Sequence, residues 1–500
     1  MKKMVMIQIS LLFLIQNIAY GQHDNLPNII IIVADDLGYS DIGSFGAKGL
    51  TTPHLDRLAD EGIRLTNFYV TSPVCSATRA SLMTGCYHSR IGIHGCLLPR
   101  SHIGISKNEI TIAELVKKKG YKTAIIGKWH LGDHTEALPV NHGFDYYFGL
   151  PYSNDMSPNP KNNVRRRARY HPRLPLIRNT EIIEVEPNQS QLTSRYTKEA
   201  IDFIKKCKNV PFLLYLAHTF PHVPLYVSEG FKGLTRRGIY GDVIAEIDWS
   251  LGQILLTLKK LKIDDNTLII FMSDNGPWKE FGNHGGTCKP LRGCKSNVWE
   301  GGIRVPFIAH WSKKIPPGKI SDEPAATIDI LPTIAKLIGE NLPENKIDGK
   351  NIWPLLSGQS NAKSPHDALF FYYGNNELQA MRSGKWKLYF PHKYNSVKQS
   401  GNNGLPGKCE MLSVGLELYD LSTDVSEAKN VAQENSDVIE RMQTMADNIR
   451  DELGDSLTGK IGKSVRSAGI YNYPWYKRLY WKARSYILRL YLKVHSYLNK

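Results

Sequence analysis

Two apolar runs, each closed by carboxylate or amide side chains, constrain the fold of this 500-residue chain most strongly. Residues 29–34 read Ile-Ile-Ile-Ile-Val-Ala and stop at Asp35-Asp36; residues 268–273 read Leu-Ile-Ile-Phe-Met-Ser and stop at Asp274-Asn275-Gly276. Continuous apolar runs of this length suit strands covered on both faces, as in a parallel sheet. Such strands deliver their polar ends to one carboxyl edge. Two further runs fit the same reading. Residues 123–126 lead into Gly127-Lys128-Trp129-His130-Leu131-Gly132, and residues 212–217 reach His218. Asp, Asn and Gly are also ordinary turn residues, so each cluster alone is equally compatible with a plain strand-end turn.

Between these runs lie helical stretches such as residues 242–261 and 328–338. The βα order predicts an α/β fold with a large mainly parallel or mixed sheet sandwiched by helices. Past a polar stretch at 358–365, short alternating runs at 368–373, 385–390 and 417–421 precede a helical pattern at 436–453. They predict a smaller C-terminal α+β subdomain on an antiparallel sheet. The chain is divided accordingly into residues 1–21, 22–360, 361–455 and 456–500. Its length allows one large domain plus a smaller one.

The stretch Cys75-Ser76-Ala77-Thr78-Arg79, continuing to Leu82-Met83-Thr84-Gly85, adds chemistry to this frame. Residues 78–83 read as a helix start, with backbone N–H groups facing an anion and Arg79 one turn beyond Cys75. A cysteine before a helix is otherwise an ordinary small buried residue. The pattern resembles the signature of the type I sulfatases, nearest to the arylsulfatase A and N-acetylgalactosamine-6-sulfatase branch of the alkaline phosphatase superfamily. The resemblance covers roughly residues 25–435. It implies that a maturation enzyme oxidises Cys75 to formylglycine, whose hydrate attacks sulfur and later expels sulfate by re-forming the aldehyde. One departure is Ala77, where the family often carries proline; the radical-based bacterial maturation enzymes accept this alternative.

Further site residues follow by the same resemblance. Asp35, Asp36, Asp274 and Asn275, with the converted Cys75, match the family's Ca²⁺ site. Three carboxylates and an amide oxygen suit Ca²⁺, or less well Mg²⁺, better than zinc. Lys128 and His130 match the residues that hold formylglycine and sulfate. His218 matches the proton donor to the leaving alcohol, whereas His222 is expected in a structural role or at the substrate rim. Lys295 falls on the family's sulfate-binding lysine, and Ser153 on a loop serine that reaches the sulfate. His284, in Gly-Asn-His-Gly-Gly, and residues 152–179 are candidates for contacting the sugar. Each also has a plain reading as a core histidine, surface lysine or turn residue.

The remaining sequence features bear on context. Met1-Lys2-Lys3, an apolar run to Ile18 and Ala19-Tyr20-Gly21 read as a cleavable signal peptide, implying export to the periplasm or outside. Conversion of Cys75 would leave six of the seven cysteines; some could pair, Cys409 with Cys294 or Cys288 for example, but sequence alone does not set the pairing. The net charge of +16 is concentrated at the end, since residues 456–500 hold ten Lys or Arg and no acid. An amphipathic pattern at 479–498 suits a membrane surface or a polyanion, or equally packs on the main domain. The cluster at 165–169 suits further sulfates on a polymer or a solvated loop. No nucleic-acid module is recognisable. Three readings stand: a sulfuric ester hydrolase acting on a sulfated glycan, a phosphomonoester or phosphonate hydrolase, and a sulfoglycan-binding protein without turnover.

Overall fold

The computed structural model describes residues 26–158 and 170–472. The segment read as a signal peptide, the arginines at 165–169 and the amphipathic pattern at 479–498 lie outside the described residues. One sheet contains β1 (Asn28–Ala34), β2 (Ile63–Leu65), β3 (Lys122–Gly127), β4 (Tyr146–Gly149), β5 (Pro175–Arg178), β6 (Glu181–Val185), β7 (Phe212–Ala217), β8 (Thr267–Ser273), β9 (Phe307–His310) and β10 (Lys319–Ser321). Their order across it is β10-β2-β9-β8-β1-β7-β3-β4-β5-β6. The central strands β8, β1, β7, β3 and β4 are mutually parallel. Antiparallel pairing appears on both sides, through β9 and through the β5–β6 ladder.

Alternation explains why β1 is apolar throughout. Ile29, Ile31 and Val33 enter one core, and Ile30, Ile32 and Ala34 the other. The second core is closed by the helices Leu192–Lys206 and Gly238–Leu261, the first by Ile330–Ile338 and the C-terminal subdomain. Each isoleucine so buried contributes about 1.5–3 kcal/mol over an exposed one. The long helix begins four residues before the expected 242. The Asp242 carboxylate accepts from the N–H groups of Gly233 and Thr235 in the preceding turn.

The C-terminal subdomain is a four-stranded antiparallel sheet of Leu369–Tyr373, Glu377–Ser383, Trp386–Tyr389 and Glu417–Asp420, with the helix Ser436–Leu453 beside it. A hairpin of His392–Gln399 and Lys408–Val414 projects from it. The seam with the main domain holds a buried cation: Lys387 Nζ donates to Glu300 at 2.8 Å and lies 3.1 Å from Glu427. Residues 456–472 return to the main domain, where Gly469–Ile470 pairs with Ile103–Gly104 and Arg466 makes two hydrogen bonds to Glu109. All seven cysteines are free. Among the described residues, no helix is long and apolar enough to cross a membrane.

Candidate active site

Backbone hydrogen bonds beyond the strand ends assemble the carboxyl edge. Asp274 N–H donates to Ala34 O, His218 N–H to Val33 O, and Lys128 N–H to Ala217 O. Lys128 can follow β3 this closely because Gly127, at φ +111°, passes Ala217 O where a Cβ would clash at 1.8 Å. Four distant segments thus meet as neighbours. Carboxylate oxygens of Asp35, Asp36 and Asp274 lie within 4.8 Å of one another, and all three residues are buried. Asn275 Nδ2 donates to Asp36 Oδ1 at 2.7 Å.

Cys75 is the first residue of the buried helix Cys75–Thr84. The helix therefore starts three residues before the expected 78, because Val74 is already extended at φ −152° and ψ 141° and the chain turns in directly after it. Thr78 lies inside the first turn, its hydroxyl donating to Ser72 O. Arg79, one turn on, donates from Nε and Nη2 to Asp274 Oδ2 at 3.0 and 2.8 Å, and from Nη1 to Lys128 O. It clamps the carboxylate edge to the helix.

Two lysines occupy the same edge. Lys128 Nζ reaches Asp35 Oδ2 at 2.5 Å and Ser153 Oγ at 3.3 Å; Lys295 Nζ reaches Asp36 Oδ1 and Oδ2 at 2.6 and 2.7 Å. Ser153 Oγ also lies 3.2 Å from His222 Nε2, which is 3.6 Å from Asp36 Oδ2. Of the two placements expected for His222, the structure shows the inner one: it is buried inside the cluster, beside Ser153 and Asp36. His218 is fully buried, and neither ring nitrogen has a hydrogen-bond partner among the described residues. Burial pushes its imidazolium down to about 3. His130 Nε2 lies 3.0 Å from Leu97 O and 3.5 Å from Cys96 Sγ. His284 is the outlying member, half-buried beside Gly404 at the tip of the projecting hairpin.

The donor set fits a hard cation. Burial raises the carboxyl pKa of Asp35 and Asp36 and takes Asp274 to about 6, with Lys128, Lys295 and Arg79 opposing that rise. Asp35 Oδ1 and Asn275 Oδ1 are buried without hydrogen-bond partners. Clustered carboxylates that burial disfavours, with orphaned oxygens between them, are what a Ca²⁺ ion and its oxygen shell would satisfy.

Sequence reasoning missed three contributors. Trp278 carries Lys295 Nζ 4.3 Å from its ring centroid and packs edge-on against His222. Tyr215 accepts at its hydroxyl from Arg79 at 3.3 Å. Cys96 joins Cys75 and His130 in a group whose donor atoms lie within 4.8 Å of one another. Tyr215 sits inside an apolar run and Cys96 in a loop, so neither carries a local signal; Trp278, three residues beyond Asn275, was the most findable.

Comparison with known proteins shows the family of the chain. The family model described as Sulfatase matches residues 27–340, and the C-terminal region of aryl-sulfatase matches 364–468. Steryl-sulfatase of Homo sapiens is 36% identical over 459 residues, covering 76% of this chain and 78% of the relative. Arylsulfatase A of Bos taurus is 38% identical over 383 residues, covering 73% and 75%. A solved structure described as Ps i-CgsB in complex with k-i-k-neocarrahexaose superposes with a TM-score of 0.70 at 31% identity, covering 84% of this chain and 93% of that one. The chain, with its carboxylate edge and its Cys75 helix start, belongs to the sulfatase family.

Proposed function

We propose that this sulfatase removes sulfate from a glycan, using Cys75 converted to formylglycine and a Ca²⁺ ion held by Asp35, Asp36, Asp274, Asn275 and the converted residue. The observation that carries this reading is the convergence of the Cys75 helix start, Arg79, Lys128 and Lys295 on one buried carboxylate edge. Three permanent cations and a helix N-terminus form a pocket for a tetrahedral anion that a neutral ligand would not need. Bound Ca²⁺ would supply electrophilic polarisation of a sulfate oxygen, and the aldehyde hydrate a nucleophilic hydroxyl where the thiol now stands.

The chain's own residues do the remaining work. Lys128, joined to Ser153, and Lys295, backed by Trp278, orient sulfate oxygens from two sides. His130 holds the converted side chain, and Arg79 keeps Asp274 in place. His222, between Ser153 and Asp36, completes the wall. His218 protonates the departing alcohol; burial keeps it neutral until the ester's negative charge arrives and raises its proton affinity. Residues 152–179 and His284 are assigned to the sugar. The oligosaccharide held by the Ps i-CgsB structure supports a glycan substrate. Residues 1–21 are assigned to export, to the periplasm or beyond, and the maturation enzyme is the chain's obligatory partner. A phosphate or phosphonate ester is the competing substrate class.

The test is co-expression with a radical-based maturation enzyme, peptide mass analysis at Cys75, and assay on defined sulfated oligosaccharides, steroid and aryl sulfates, and phosphate esters. Aldehyde at Cys75 with turnover fastest on an oligosaccharide is expected. Full activity with an intact thiol, or turnover restricted to the other esters, would overturn the assignment.

A further inference from the structure

We infer that the unconverted chain contains a second metal site, formed by Cys75, Cys96 and His130 and selective for soft cations of the Zn²⁺ class. One donor atom from each lies within 4.8 Å of the other two. Two thiols and an imidazole are the donors that zinc and its thiophilic relatives select over calcium, whereas the carboxylates beyond Cys75 select the reverse. The group is held in place from two sides. Leu97 N–H donates to Ser76 Oγ at 3.0 Å, tying the Cys96 loop to the first turn of the Cys75 helix. His130 Nε2 rests against Leu97 O, while Nδ1, buried, has no hydrogen-bond partner among the described residues.

Cys96 lies at an exposed position in its loop, whereas Cys75 and His130 are buried. Three protein ligands leave a fourth, outward position to water, the arrangement of an open zinc site. Binding deprotonates both thiols, and the protons pass to solvent. Cys75 thereby stands between two sites of opposite preference. Conversion of its thiol to an aldehyde removes one thiolate and leaves Cys96 and His130, too few to retain the ion. That loss rests on the formylglycine reading; binding by the unconverted chain does not.

The experiment uses the full chain after its leader, made without a maturation enzyme, reduced by a phosphine and kept anaerobic. Excess Ca²⁺ fills the carboxylate site, and Zn²⁺ is titrated against a chromophoric chelator, with Co²⁺ as a spectroscopic substitute. One equivalent should bind, with a thiolate-to-cobalt charge-transfer band. Since losing even a supporting partner of a metal ligand costs about 10–100-fold in affinity, Cys96→Ser should weaken binding at least about 100-fold. Its Ca²⁺-dependent melting should stay unchanged, showing an intact fold. Failure to bind, a Cys96→Ser variant that binds equally well, or a cobalt spectrum without the sulfur band would overturn the site. Protein shown by mass to be converted should lack it. If converted protein hydrolyses sulfate esters yet still binds Zn²⁺ as tightly, this site is wrong while the catalytic reading stands.

Discussion

Replacing His218 by glutamine removes the imidazole at the end of β7, which is fully buried and has no hydrogen-bond partner on either nitrogen among the described residues. Its folded pKa is about 3 against an ordinary 6.5. Below pH 6.5 the unfolded imidazole binds a proton that the folded one refuses, so stability is complete above 6.5 and falls as pH falls toward 3. At pH 5 this amounts to about 2 kcal/mol for His218, at 1.36 kcal/mol per pH unit. Urea unfolding of the wild type and His218→Gln at pH 7.5 and 5.0 should therefore show the variant losing about 2 kcal/mol less on acidification. The same variant tests the acid role. A general acid contributes roughly 10²–10⁴-fold, and a poor alcohol leaving group needs it most. Turnover should drop by that factor on a sulfated sugar and by much less on an activated aryl sulfate. Equal losses on both substrates in a variant that unfolds normally would refute His218 as the acid. Identical acid sensitivity of the two proteins would refute the buried neutral imidazole.

Two further substitutions probe the carboxylate edge and the seam. Asp274→Asn strips Arg79 of its nearest carboxylate and the proposed metal edge of a charge; it should cost about 3–5 kcal/mol in urea unfolding, abolish stoichiometric calcium in metal analysis and eliminate turnover, and a calcium content equal to wild type would contradict the ligand assignment. In wild type, removing alkaline-earth ions with a chelator should lower the melting temperature, and Ca²⁺ should restore it better than Mg²⁺; stabilisation reaches about 2.7 kcal/mol at a hundredfold excess over Kd. Lys387→Met removes the cation between Glu300 and Glu427, leaving Arg304, 3.4 Å from Glu300, as that carboxylate's remaining ion-pair partner. Burial raises the Glu300 carboxyl while Lys387 and Arg304 hold it at about 2, so the variant should lose about 3–5 kcal/mol at pH 7, with a smaller loss at acid pH where the freed carboxylates accept protons. A neutral result would mean that water enters the seam.

Sequence was sufficient for the parts of this protein that depend on local pattern. The all-apolar β1 and β8 declared a doubly covered sheet, since an unbroken isoleucine run has no solvent face, and the oxygen side chains closing them marked its carboxyl edge. The helix Ser436–Leu453 was likewise legible from its period. Less local features escaped it. Glu377–Ser383 carries Gln379 and Arg382 among buried positions and shows no alternation, so the second strand of the C-terminal sheet became visible only through its ladder partners. The motif at Cys75 nominated a residue for modification but placed the helix start at Thr78, because the turn there is fixed by Val74's extended backbone and not by a capping side chain. Above all, sequence could nominate Asp36, Lys295, Ser153 and His222 separately without showing that they stand together, that Trp278 packs against two of them, or that Cys96 joins Cys75 and His130. Those contacts span up to 259 positions along the chain, and a parallel sheet brings them together by bonding the ends of strands that are remote in sequence. Local pattern therefore determined which groups were available, whereas the tertiary fold decided which of them stand within reach of one another and whether burial leaves each charged or neutral.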